Sequence, residues 1–354
     1  MIYNNRNIYE EAPQTADCYR RAYADGIAEF IHTMNQKGKA IRQNFMPPEE
    51  LVRYPEKYRR LYHEMLGLNR IDGTDCPPAK QEYVSSDDVC HIYRLTVYIT
   101  RKIPFYAMLL LPKKAAKNAK VPLVITQHGG GGTPELCLDM YGKNNYSHMA
   151  QRIIDRGAAV LAPQLLLWSR TESDTQRGHD IAYDRGKADN DLKRFGLSIT
   201  GLEIKGIMNA LDYVCMLDVI DPERISMIGL SYGGYFTLHT TAADTRIKSA
   251  YTAGCFNDRD HYDWNDWCYK GSALMFQDAE VAALCAPRKL YIQVGMADQV
   301  FDYHTAIPEM ERVRKYYQAY GKEENLKTNV WEGGHTVSGD DAGYDHIMSI
   351  FRSL

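Results

Sequence analysis

Ile225 to Ala243, reading ISMIGLSYGGYFTLHTTAA, is the stretch on which the fold turns. It opens on a continuous apolar run, Ile225 to Leu230, and bends at Gly229-Leu230-Ser231-Tyr232-Gly233. An apolar helical stretch, Tyr235 to Ala243, follows. Strand before and helix after are the setting in which a Gly-x-Ser-x-Gly turn lifts a serine hydroxyl above the edge of a sheet. So tight a turn lets its neighbours approach closely only where there is no Cβ. The stretch lacks Asp, Glu, Lys and Arg, but Ser, Thr, Tyr, Gly and His239 stud it, so it does not read as a membrane span.

Outward from this turn, the chain alternates strand and helix. Val121 to Thr126, Ala158 to Ala162, Ile247 to Ala253, Leu290 to Val294 and Lys327 to Trp331 read as strands. Runs that are apolar throughout fit strands covered on both faces of a parallel sheet. Ile204, Ile207, Met208, Leu211, Val214 and Cys215 mark one helix face, and Met310, Val313, Tyr317 and Tyr320 another. Tyr344, Ile347, Met348, Phe351 and Leu354 form a C-terminal stripe. Before these units the period is two: Val89 to Ile99 alternates, and Phe105 to Leu111 answers it as the second arm of an antiparallel hairpin. The fold class expected is α/β, a mostly parallel central sheet with helices on both faces.

Residues 1–85 read as an N-terminal helical extension packed on the main domain, which spans 86–354. Tyr19, Tyr23, Ile27, Phe30, Ile31 and Met34 share helix spacing, as do Leu51, Tyr54, Tyr58, Leu61, Tyr62 and Met65. Pro47 and Pro48 sit where the second helix begins, and Pro55 kinks or delays it. These helices are placed to pair two copies of the chain into a homo-oligomer or to cover a pocket. Two segments fit neither period, about 165–196 and 256–287. Both follow strands at their C-terminal ends, where open α/β sheets place ligands, so both are expected as lids or pocket walls.

Composition narrows the function classes. The 354 residues carry Lys+Arg 42 against Asp+Glu 45, a net charge of −3, with no basic cluster, so nucleic acid is not an expected partner. Met1 to Pro13 shows no basic segment followed by an apolar core, and the eight Cys form no Cys-x-x-Cys pair. Reduced cysteines and a cytoplasmic location are the expectation.

A hydroxyl is a poor nucleophile until a base takes its proton. The base is expected on a loop after the last strand, where Gly333-Gly334-His335 stands. A carboxylate after an intermediate strand then fixes the imidazole tautomer. Asp298, three residues past the strand Leu290 to Gly295, fits; Asp302 is its nearest rival, and Asp340 and Asp341 are read as caps of the final helix. Attack on a carbonyl builds charge on oxygen and calls for fixed N–H donors. Strand Val121 to Gln127 ends in His128 and Gly129-Gly130-Gly131-Gly132. The expected donors are the Tyr232 N–H and that of Gly130, or otherwise Gly131, with His128 as a prop for the loop. This chemistry needs no cofactor and takes a small-molecule ester as partner.

With these residues, Val89 to Leu354 resembles the α/β-hydrolase superfamily, and within it the dienelactone-hydrolase-like and acetyl-xylan-esterase-like carboxylesterases. The resemblance rests on Gln127 to Gly132, Ala159 to Pro163, Asp221 to Ile225, Asp244 to Lys248 and Ala282 to Arg288. It implies a serine esterase acting on a small or medium ester, such as an O-acetylated carbohydrate. Dienelactone hydrolases proper carry Cys where this chain has Ser231, which points to ester hydrolysis. Many relatives have Asp after the Ala-Pro of the fourth strand; here Gln164 follows, then Leu165-Leu166-Leu167-Trp168. Two other readings stand beside this one. An oligopeptidase-type serine peptidase would need its usual propeller, for which the extension is too short. An idle hydrolase fold serving as a binding module would need an incomplete triad. Tyr262, Trp264, Trp267 and Tyr269, crowded with Asp258, Asp260, Asp263 and Asp266, either stack on a sugar ring or pack the insertion onto the core. Arg170, Glu172 and Arg177 in the other insertion either hold polar substrate groups or stay solvated.

Overall fold

A computed structural model describes residues 9–113, 120–167 and 183–352. The strands are β1 Lys80–Ser86, β2 Cys90–Thr100, β3 Ile103–Pro112, β4 Val121–Gln127, β5 Ala159–Pro163, β6 Ile220–Leu230, β7 Ser249–Ala253, β8 Lys289–Gly295 and β9 Leu326–Trp331. They form one sheet in the order β1-β2-β3-β5-β4-β6-β7-β8-β9. Pairings from β5 through β4 to β9 are parallel, and those among β1, β2, β3 and β5 are antiparallel.

The helices are α1 Asp17–Phe45, α2 Pro48–Arg53, α3 Pro55–Leu66, α4 Pro134–Cys137, α5 Met149–Ile154, α6 Arg185–Lys193, α7 Ile199–Cys215, α8 Tyr232–Ala243, α9 Asp278–Ala283, α10 Tyr303–Ala319 and α11 Ala342–Met348. Alternation along the parallel strands sends residues into two cores. Leu123, Ile125, Leu161, Met227 and Ile292 join α3, α7, α8 and α10 on one face. Val124, Val160, Ile228 and Tyr291 join α4, α5 and α11 on the other. The period of two within each continuous apolar run explains why both faces must be covered.

The extension is not one kind of structure. Leu51, Tyr58, Tyr62 and Leu66 of α2 and α3 are buried in the first core, and Arg59 donates to the Ala242 and Leu284 carbonyls. The stripe Tyr19 to Met34 on α1, expected to pack inward, is instead exposed. Lys80–Ser86, read as the tail of the helical segment, is the edge strand of the sheet, paired antiparallel with β2. Its burial is almost nil, so it carries no apolar alternation to read. Of the insertions, 256–287 contains the short helix α9, and 165–196 contains α6. Arg170, Glu172 and Arg177 lie outside the described residues.

Candidate active site

The turn after β6 has the geometry its sequence requires. Ser231 holds φ 60° and ψ −125°, a conformation that L-residues rarely adopt and that persists only when the surroundings impose it. Its N–H donates to the Ala253 carbonyl of β7, 2.8 Å away, and its own carbonyl accepts the first turn of α8. A Cβ on Gly229 would lie 2.3 Å from the Gly233 oxygen, and one on Gly233 would lie 2.1 Å from the Gln127 oxygen. Both contacts are with backbone, so neither position accepts a side chain.

His335 and Asp298 meet on the loops beyond β9 and β8. Nδ1 of His335 lies 2.8 Å from Oδ2 of Asp298, whose side chain is 1% exposed. The other oxygen, Oδ1, accepts the N–H groups of Val300 and Phe301 at 2.7 and 3.1 Å, which aims Oδ2 at the imidazole. The His335 ring packs over Gly254, where a Cβ would lie 3.5 Å from Nδ1 and Cε1. Gly254 directly follows Ala253, the residue that holds the Ser231 N–H, so the imidazole sits beside the turn. Ser231 and His335 line one cleft of about 220 Å³ with Tyr232, Trp264 and Gly129 to Gly132.

The alternatives for the carboxylate separate cleanly. Asp302 is the N-cap of α10; its Oδ1 takes the His304 N–H and meets that imidazole's Nδ1. Asp340 accepts from the Ser338 hydroxyl and the Ala342 N–H at the start of α11. Asp341 pairs with Arg152 and Arg156.

Beyond β4 the glycine loop is pinned at both ends. The Gly129 N–H donates to the Tyr146 hydroxyl at 2.8 Å, and the Gly132 N–H to the Gly129 carbonyl at 3.1 Å. Gly130 and Gly131 occupy the turn between them and line the cleft. His128 accepts the Leu165 N–H on Nε2 at 2.9 Å, which fixes the other nitrogen as the protonated one, 2.8 Å from the Gly129 carbonyl. A neutral imidazole fully engaged with backbone is a brace. Gln164, just after the Ala162-Pro163 end of β5, turns its amide toward the Leu165 carbonyl and His128 Nε2.

Residues 68–257, just over half of the chain, match the family model for acetyl xylan esterase (AXE1). The chain belongs to the acetyl xylan esterase (AXE1) family. That is a family of carboxylic ester hydrolases, on the α/β-hydrolase fold. YtaP of Bacillus subtilis (strain 168) is 27% identical over 221 residues, 56% of this chain. The chain covers 66% of that relative's own length, just under two thirds. BF1801 of Bacteroides fragilis NCTC 9343 superposes with a TM-score of 0.62 at 18% identity, covering 85% of this chain and 83% of its own. A glucuronoyl esterase from Solibacter usitatus gives 0.57 at 15% identity, over 82% and 91%. At these identities the structures establish the shared fold.

Within the AXE1 fold of this chain, the two insertions meet behind the Ser231 turn. The Arg185 guanidinium, from the first, spans Glu203 of α7 at 2.8 and 3.0 Å and Asp266 of the second at 2.7 Å. Asp266 also accepts the Tyr232 hydroxyl at 3.1 Å. Burial works against the Arg185 charge, but Glu203 and Asp266 more than offset it and raise its pKa. Burial raises Glu203, and burial with Asp266 raises the Tyr232 phenol.

The aromatic insertion divides by residue. Trp267 and Tyr269 are buried; Trp267 stacks on Tyr235 with ring centroids 4.4 Å apart and carries the Arg259 guanidinium on its face. Tyr262 accepts the Asp302 N–H on its hydroxyl. Trp264 alone of the four is exposed, at 37%, stacked on Tyr232 and facing the cleft.

Several supporting residues went unread in the sequence. Gln293, fully buried in β8, grips both sides of the His335 loop: Nε2 donates to the Thr336 carbonyl and Oε1 accepts the Ser338 N–H, both at 2.9 Å. Its signal was a lone amide inside the apolar run Leu290 to Val294. Asn145 donates to the His335 carbonyl at 2.9 Å, and Tyr146 braces the glycine loop. Neither had a local signal, because each acts across the fold.

Proposed function

We propose that the chain is a serine carboxylesterase that removes a small acyl group, acetyl above all, from a carbohydrate ester. The observation that carries this reading is the Asp298–His335 pair opening into the same cleft as Ser231 on its strained turn. Ser231 Oγ attacks the ester carbonyl while His335 Nε2 takes its proton. Asp298 keeps the other ring nitrogen protonated and offsets the imidazolium charge that develops. The tetrahedral oxyanion points to the N–H groups of Tyr232 and Gly130; one such donor is worth about 3 kcal/mol of barrier. The intermediate collapses, His335 returns the proton to the leaving alcohol, and Ser231 holds the acyl group. Water, activated by the same imidazole, then frees the acid.

Two features support the substrate class. The cleft is small, about 220 Å³, which suits a short acyl chain. Trp264 offers an aromatic surface at its rim, suited to the apolar face of a sugar ring. Membership of the AXE1 family supports the same chemistry.

The test is turnover of p-nitrophenyl acetate and of acetylated xylo-oligosaccharides by the wild type and Ser231→Ala. Both substrates are expected to be hydrolysed, and the variant to lose turnover while keeping its circular dichroism spectrum. Unchanged turnover in Ser231→Ala would remove the nucleophile. Hydrolysis of the aryl ester without the sugar esters would leave the esterase and remove the carbohydrate.

A further inference from the structure

α1 is only partly attached to the body. Its C-terminal third is docked: Gly38 lies against the Ala273 carbonyl, Arg42 is buried and donates to that same oxygen, and Lys39 pairs with Asp258 at 2.8 Å. From Cys18 to His32 every position is exposed. Yet Tyr19, Tyr23, Ile27, Phe30 and Ile31 recur there, with Met34 just beyond, at spacings of three and four, 41 to 76% exposed. That is a continuous apolar stripe on an arm that extends ~22 Å, at 1.5 Å per residue. A helical segment of about fifteen residues without tertiary contacts is marginal in water. Gly26, in its middle, has open space around it and costs about 1 kcal/mol relative to Ala. Such an arm holds its shape by being covered.

We propose that the cover is a second copy of this chain, with the two α1 helices packed antiparallel about a two-fold axis. The stripe offers on the order of 700 Å² per copy, close to the ~800 Å² that a standard interface takes from each partner. A two-fold axis lets one self-complementary surface satisfy both copies. At 100° per residue Asp25 and Glu29 fall on the side of α1 away from the stripe, so pairing stripe on stripe leaves both acids in solvent and keeps the seam apolar. The mixed charge of the free half, with Arg20 already paired to Asp17, is poorly suited to an anionic lipid surface. Because the docked third rests on the insertion that carries Trp264, the dimer also anchors one wall of the cleft.

Sedimentation velocity of the full chain tests this, with far-UV circular dichroism as the check on folding. The wild type is expected at twice the chain mass at micromolar concentration, and Tyr23→Glu/Phe30→Glu at the chain mass with its body folded, its far-UV signal lower only by the helicity of the arm. A monomeric wild type, or a doubled mass that survives Tyr23→Glu/Phe30→Glu, overturns the proposal. So does a wild-type monomer that co-sediments with phosphatidylserine vesicles, which would assign the stripe to a membrane.

Discussion

Asp298 divides its carboxylate between two tasks: Oδ2 meets His335 Nδ1 at 2.8 Å, while Oδ1 is held by the Val300 and Phe301 N–H groups of its own loop. The backbone fixes the carboxylate before the imidazole arrives, so the proposed base is oriented without a search. Phe301 takes part twice, since its ring also stacks on Trp267 and tilts against His335.

Asp298→Asn is expected to lower kcat on p-nitrophenyl acetate by on the order of 10³ to 10⁴, with KM little changed. Asp302→Asn retains the helix cap and is expected to leave kcat within about twofold. Steady-state kinetics of the two variants separates the roles.

Gly233→Ala places a methyl group 2.1 Å from the Gln127 oxygen, where only backbone can yield. A loss of about 3 kcal/mol or more is expected, from overpacking at an immovable site. The urea midpoint should fall with the slope of the transition unchanged.

Gln293→Met keeps the volume but strands the buried Ser338 N–H and Tyr251 hydroxyl along with the half-buried Thr336 carbonyl, a cost of about 1 to 3 kcal/mol for each buried group left unpaired. Because the Ser338 and Thr336 groups flank His335, kcat is expected to fall about tenfold while KM holds. Equal kcat in wild type and variant would confine Gln293 to stability.

Glu309 gives a pH signature. It is buried on α10 against Arg312, and burial pushes its carboxyl up to about 7, although Arg312 pulls the other way. Its folded pKa thus exceeds its ordinary value of 4.5. The stability it contributes is complete below 4.5 and is lost as the pH rises through 7. Glu309→Gln cannot ionise. The wild type is therefore expected to lose on the order of 3 kcal/mol relative to the variant between pH 5 and 8, read from urea midpoints at the two pH values.

Ser231, Asp298 and His335 were legible because each follows a strand with an unmistakable pattern, and the end of a strand in a parallel sheet points to one rim. The same holds for the glycine loop after Gln127. β1 was not legible: its residues are largely exposed and show no apolar alternation, so pairing with β2 decides it. The aromatic insertion was ambiguous for a different reason. Tyr262, Trp264, Trp267 and Tyr269 are chemically alike in sequence, and only the position of Arg259, Tyr235 and Tyr232 buries some and leaves Trp264 at the cleft.

By itself the sequence determined the inner strands, the helices that cover them and the turn that carries Ser231, since period and glycine placement are local properties. The three-dimensional structure decided the contacts between distant segments. It gave Asp298 rather than Asp302 to His335, made Gln293 and Asn145 the holders of that loop, and left the α1 stripe in solvent instead of in the core. The physical reason is that helical periodicity records an apolar face but not what covers it, and a polar side chain's partner is chosen by the packing of elements far away along the chain.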